Sequence, residues 1–185
     1  MAHPDRIEGL AIVSSDGMIA DRDGVQPDAL KIDADQRFFH EMCDAATALA
    51  HGHNSGEGGP RMAGRRRLVL TRNIASLARH PDWDKAVLWN PAGATLEQAW
   101  DMLGLSGGLL AVIGGTEPFG MFLDRGYDAF HLSTASQAML PGGRPVFPGI
   151  PPHAAEELLT QHRLTPGPAR VIDASHGLSL VTWSR

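Results

Sequence analysis

The sequence predicts an α/β fold: one domain on a central, mostly parallel sheet that ends in an antiparallel C-terminal edge hairpin. Three observations carry this reading. Short apolar runs bounded by turn formers recur along the chain, and segments of helical spacing alternate with them. The final pair of apolar runs is separated only by the turn from Ser175 to Gly177, which reads as a hairpin. A chain of 185 residues also holds one domain with a substantial core and leaves little for a second.

The elements follow in order. In "GLAIVSSDGMIA" a strand covers Leu10 to Val13, a polar turn covers Ser14 to Gly17, and Met18 to Ala20 form a short apolar return. "DRDGVQPDALKI" is rich in turn formers and reads as a loop. "DADQRFFHEMCDAATALA" changes to helical spacing, with Phe38, Phe39, Met42 and Cys43 near one face and Asp33 or Asp35 in the first turn. "ATALAHG" is a strand ending at Gly52, "HNSGEGGPRMAG" a polar connection, and "RRRLVLT" a strand with Leu68 to Leu70 buried. Arg72 and Asn73 then open "IASLARH", read as helical, before the strand "KAVLWN". "ATLEQAWDML" is a helix ended by Gly104. "GLLAVIGG" continues the sheet, "LPGGRPVFPGIPP" is extended, and "RVIDASHGLSLVTWSR" is the terminal hairpin.

Composition removes several function classes. The net charge is −5 with both signs interspersed, so no global field favours nucleic acid or an anionic membrane surface. No segment approaches the roughly 20 apolar residues of a spanning helix, and acidic residues stand close to the short apolar run at the N-terminus. The single cysteine, Cys43, cannot form an internal disulfide and sits in an apolar helical pattern, as a small core residue would. These features predict a soluble, unprocessed, cytoplasmic protein, and they leave a homodimer open.

Four places carry candidate chemistry. Gly114 and Gly115 follow a buried strand, Thr116 can cap the next helix, and Pro118 suits a first turn because it has no N–H to lose. Such a turn brings free backbone N–H groups and a positive dipole end to an anion; it is also a common tight strand-to-helix connection. Arg65, Arg66, Arg67 and Arg72 bracket one strand, and alternation sends them to different faces, so they cannot share one task. Arg72, at the strand's end, could pair a phosphate monoester, while a solvated basic edge is the usual explanation of such a run. "HGHNS" lacks further ligands at metal spacing, and zinc is not expected. Asp35 is either a first-turn dipole partner or a partly buried carboxylate that anchors an amidine-like ring edge and supports proton transfer.

Taken in order, these pieces resemble the dihydrofolate reductase superfamily, which includes the reductase domain of the riboflavin-biosynthesis deaminase-reductase. "AIVSSDGMIA", "ADQRFFHEM", "HGHNS", "GRRRLVLTRN" and "VIGGTEPFGMFL" match five of its regions in order. The resemblance implies a three-layer fold, NADPH as cofactor, and a small heterocyclic substrate. It makes Asp35 the acidic residue on the pterin ring, with Phe39 and Ser133 beside it and Arg65 on the carboxylate of a folate tail. Ala11 and Ile19 fall near the nicotinamide. Gly52, His53, Asn54, Ser55, Thr71 and Arg72 fall around the adenosine phosphates, and Ile113, Gly114, Gly115, Thr116 and Phe119 at the pyrophosphate turn.

Two departures qualify it. The chain carries "GVQPDALKIDAD" where typical dihydrofolate reductases have Pro-Trp-x-Leu-Pro, and His53 stands in place of an arginine. "SSDGMIA" and "LPGGRPVFP" look closer to the riboflavin-pathway reductases. The leading expectation is therefore an NADPH-dependent reductase of a C=N bond in a dihydropterin, within one-carbon metabolism. The alternatives are a reductase of a ribosylamino-pyrimidine, with Arg61 or Arg65 available for its phosphate, and an NADP-binding module without turnover.

Overall fold

Strand β1 (Arg6–Ser14) lies in the middle of the sheet, and its alternation sends Leu10 and Ile12 to one layer and Ile7 and Val13 to the other. The computed structural model describes residues 1–55 and 59–185; Gly56, Glu57 and Gly58 of the glycine-rich connection lie outside the described residues. A tight turn leads to β2 (Met18–Ala20), with Gly17 at φ +85°, a conformation that costs glycine least. After a 3-10 turn at Asp28–Leu30 come α1 (Asp33–Ala45), β3 (Ala48–Gly52), the one-turn α2 (Pro60–Ala63) and β4 (Arg67–Leu70). The chain continues through β5 (Leu77–Arg79), β6 (Ala86–Trp89), α3 (Leu96–Met102), β7 (Leu109–Gly114) and α4 (Thr116–Arg125). It closes with β8 (Ala129–Ala135), β9 (Arg144–Pro145), α5 (Ala155–Gln161), β10 (Thr165–Pro166), β11 (Arg170–Asp173) and β12 (Leu178–Ser184).

The sheet runs β10-β12-β8-β1-β7-β3-β4-β6-β5, with β11 also on β12. Pairing is parallel from β8 to β6; β12 and β5 are antiparallel to their neighbours. The expected edge hairpin is β11–β12, and β5 is a second antiparallel edge. A separate ribbon joins β2 to β9. On one face α1 lays Phe38, Phe39, Met42 and Cys43 over Leu10, Leu49, Ala111 and Ile113. On the other, Trp100, Phe119, Phe122 and Phe147 fill the larger core. Each such side chain, fully buried, contributes on the order of 1.5–3 kcal/mol.

Helix α3 falls within "ATLEQAWDML", and Thr95 caps its start. Thr95 Oγ1 accepts the Gln98 N–H (3.2 Å) while Gln98 Oε1 accepts the Thr95 N–H (2.9 Å), and Gly104 follows the helix at φ +71°.

Three local expectations are corrected. "IASLARH" is not helical: Leu77–Arg79 pairs antiparallel with β6, so sheet hydrogen bonding overrides a weak 3.6-residue pattern. "LPGGRPVFPGIPP" is not extended throughout: only Arg144–Pro145 is strand and most of the rest is turns, and α5, which the sequence did not announce, follows it with Leu158 and Leu159 entering the core. The arginine run is not uniformly solvated, since Arg67 is wholly buried with its guanidinium 3.8 Å from the Trp83 ring centroid.

Gly9, in the centre of β1, is opposite Phe130 in the register and leaves room for that ring; a Cβ there would overlap the Phe130 ring and stand 3.0 Å from Tyr127 Cε1. Gly9→Ala is expected to lower unfolding free energy by about 1–3 kcal/mol, the usual cost of overpacking, measured by urea denaturation.

Candidate active site

Parallel strands that end on one side leave a crevice outside their carboxyl ends, the usual ligand position in open α/β sheets. Here the loops leaving β1, β3, β4 and β7 enclose an open cleft of about 1550 Å³. That exceeds the roughly 300–1,000 Å³ of most single-ligand pockets, so it has room for two ligands. Strand order divides it. The ends of β7, β3 and β4 are neighbours and form one half; β1, β8 and α1 form the other.

The first half gathers Gly52, His53, Asn54, Ser55, Thr71, Arg72, Ile113, Gly114, Gly115 and Thr116. The His53 N–H donates to the Leu70 carbonyl (2.9 Å), which fixes the end of β3 against that of β4. The Ser55 hydroxyl turns back to Gly52 O (2.8 Å) and His51 Nδ1 (3.0 Å). His51 beneath it is 2 % exposed, and burial pulls its pKa down to about 4. Gly115 is the N-cap of α4 at φ +90°, and a Cβ there would stand 2.9 Å from Pro118 Cδ, so the glycine is needed for the turn itself. The first N–H groups of α4 lack intrahelical partners, and among the described residues the N-cap, a glycine, supplies no side-chain hydrogen bond to them. Thr116, expected to cap, is instead the first helical residue, and its hydroxyl donates to Pro145 O (2.5 Å), tying β9 to the helix start. Phe119 forms the floor, packed edge-on against Phe130 and Phe147. Arg72 reaches across to α4, where its Nη2 lies 2.7 Å from Glu117 Oε1; with side chains 78 % and 70 % exposed, this pair is worth about 0–1 kcal/mol.

The second half is built on Asp35. It stands in the first turn of α1 but is turned inward, 8 % exposed, beside Ser133. Burial pushes its carboxyl above the ordinary aspartate value, and the Ser133 hydroxyl opposes this more weakly. Phe38 and Phe39, on the next turn of α1, line the same space, as do Ala11 and Ile19.

Arg65 is not brought to the cleft. It is turned to the C-terminal end of α1, where Nη1 donates to Cys43 O (2.6 Å) and Nη2 pairs with Asp44. In the other direction the sequence reading missed His131, Glu8 and Arg144. His131 and Arg144 line the cleft, and Glu8 holds His131 from β1. His131 and Ser133 are alternate residues of β8, so period-two counting from Ser133 would have found the histidine.

No protein-family model matches the chain, and no curated protein matches it in sequence. Solved structures match it in backbone. A protein described as a riboflavin biosynthesis protein from Shewanella sp. PV-4 superposes with a TM-score of 0.68 at 18 % identity, covering 97 % of this chain and 98 % of its own. A diaminohydroxyphosphoribosylaminopyrimidine deaminase/5-amino-6-(5-phosphoribosylamino)uracil reductase from Thermotoga maritima gives 0.66 at 18 % identity, over 98 % of this chain and 56 % of that longer one. Dihydrofolate reductase from Enterococcus faecalis, complexed with NADP(H), gives 0.59 at 18 % identity over 100 % and 99 % of the two chains.

The chain has the dihydrofolate reductase-like fold. Within it, the cleft lies at the carboxyl ends of the parallel strands, and Asp35 enters it from the first helix after the sheet begins.

The Asp35 environment carries a stability consequence. An acid whose folded pKa exceeds its unfolded value near 3.9 binds more protons folded than unfolded between the two values, so stability falls as pH rises through that window. Asp35→Asn removes the penalty. The variant is expected to melt at or above the parent temperature at pH 7, with its advantage shrinking on acidification towards pH 4, by about 1.4 kcal/mol per unit of pKa elevation. Thermal melts across this range read the effect.

Proposed function

We propose that this chain is an NADPH-dependent reductase that acts on a C=N bond of a small heterocycle with an amidine-like edge, a dihydropterin being the substrate class. The observation that carries this reading is Asp35, a buried carboxyl beside a hydroxyl, facing a cleft with room for two ligands. An amidine edge offers two parallel N–H donors, which a carboxylate accepts in a fork. Burial binds the Asp35 proton more tightly than in an exposed aspartate, so the group can hold hydrogen beside the ring nitrogen that gains a proton on reduction.

The residues of the other half fit a nicotinamide dinucleotide. The uncapped start of α4 and the Gly114–Gly115 turn offer backbone N–H groups to a pyrophosphate. Arg72 is available to a monoester phosphate, because its pairing with Glu117 is exposed and weak. His53, Asn54, Ser55 and Thr71 would surround the adenosine end, and Ala11 and Ile19 would border the nicotinamide. When bound, NADPH supplies the hydride; the chain supplies orientation and a water-poor wall from Phe38, Phe39 and Ile19.

A second reading, a reductase of a ribosylamino-pyrimidine, is supported by the higher TM-scores to the riboflavin-pathway structures, 0.68 and 0.66 against 0.59. Dependence of turnover on a substrate phosphate separates the two. Of the two cations considered for such a phosphate, Arg65 is engaged elsewhere and Arg61 does not line the cleft, whereas Arg144 does.

Three substitutions test the reading. Asp35→Asn should slow reduction by roughly two orders of magnitude or more, with NADPH affinity unchanged by fluorescence titration. Arg72→Ala should weaken NADPH about ten- to a hundredfold and leave NADH nearly unaffected, as expected for loss of a charge-assisted bond to the extra phosphate. Glu117→Gln frees Arg72 from its competitor and should tighten NADPH by about 1.5- to fivefold. Equal effects on both cofactors would remove Arg72 from this role.

A further inference from the structure

Two rungs join α1 to β8. Asp35 stands beside Ser133, and one turn later the Phe38 ring meets His131 edge-on, centroids 5.6 Å apart at 64°. Since Ser133 and His131 are alternate residues of one strand face, the second contact sets the height of the helix on the sheet, and hence where the Asp35 carboxyl stands.

His131 is fixed from both flanking strands. Its Nε2–H donates to Glu8 Oε2 on β1 (2.9 Å), and its Nδ1 lies 2.9 Å from the Thr182 hydroxyl on β12. Glu8 is in turn held by Arg6, whose Nη2 donates to Oε1 at 2.8 Å. The His131 and Glu8 side chains are only 12 % and 11 % exposed. A polar cluster of this kind inside a sheet stabilises less than well-packed apolar residues of the same volume would, so core filling does not account for it. With both nitrogens engaged the ring has one orientation, and it lines the cleft.

We infer that His131, clamped between Glu8 and Thr182, is a positioning residue that sets Asp35 against the heterocycle through Phe38. The inference rests on the reductase reading for its substrate, while its geometry is independent of turnover. It makes His131 a determinant of heterocycle recognition and leaves the cofactor half of the cleft untouched.

A double-mutant cycle with Asp35→Asn tests it. His131→Leu should lower kcat/KM for a dihydropterin about tenfold in the parent and less than about twofold in the Asp35→Asn background, with NADPH Kd constant to within about twofold. If His131→Leu fails to fold, Thr182→Val removes one side of the clamp isosterically and should show the same non-additivity. Glu8→Gln, which keeps a hydrogen-bonding partner for His131, should retain most of the parent kcat/KM. Additive effects, or an equal shift in NADPH Kd, overturn the inference. Should the parent not turn over a dihydropterin, the cycle is read on the Kd of 2,4-diaminopyrimidine, whose amidine edge pairs with a carboxylate. Non-additivity there sustains the positioning role while the reductase reading falls, and a folded parent that binds no diaminopyrimidine overturns both.

Discussion

Strand β1 pairs in parallel with β7 on one side and β8 on the other, and every part of the candidate site hangs from that double pairing. Parallel neighbours must be joined by long crossovers, so their carboxyl ends finish together and their loops diverge, opening a crevice there. The register then decides the contents. Ala11 lies opposite Leu132 and Ile12 opposite Ser133, which sets Ser133 at the level where α1 presents Asp35. Gly9 lies opposite Phe130 and leaves space for the ring cluster that supports α4 from below. A one-residue slip of β8 would send Ser133 and His131 to the wrong face together.

The two halves of the cleft differ in how they treat charge. In the half formed by β7, β3 and β4, the groups available are backbone N–H donors and an exposed arginine held loosely by Glu117, a partner that a strong anion could replace at little cost. In the half formed by β1, β8 and α1, the groups are buried. The fold thus shifts two carboxyls on one side of the sheet in opposite directions, Asp35 up by burial and Glu8 down chiefly by the hydrogen bond from His131.

Much of the architecture was legible because burial writes itself into spacing. The apolar runs at Leu68–Leu70 and Leu109–Gly114, and the 3.6-residue pattern of α1, stand where the sequence places them. Gly104 marks the end of α3 through local chemistry alone. Elements decided by long-range pairing were not legible: β5 is a strand because β6 offers it hydrogen bonds, and its sequence carries a helical pattern. The same division holds for the site. Residues at strand ends and turns, such as Gly52 and Gly115, line the cleft where the sequence puts them, because turns restrict composition. Arg65 was misplaced because its neighbours, Cys43 and Asp44, lie 22 and 21 residues away. The Glu8–His131 pair spans 123 residues, so only the register of β1 on β8 reveals it.

The central claim is that the cleft holds a nicotinamide dinucleotide and a heterocycle at once and passes reducing equivalents between them. A single screen tests it most directly: the loss of NADPH absorbance is followed with purified protein against dihydrofolate, simpler dihydropterins and the ribosylamino-pyrimidine. The account predicts steady NADPH oxidation with a member of one of these two substrate classes. Tight NADPH binding with no oxidation across all of them would contradict it and leave the chain as a nucleotide-binding module.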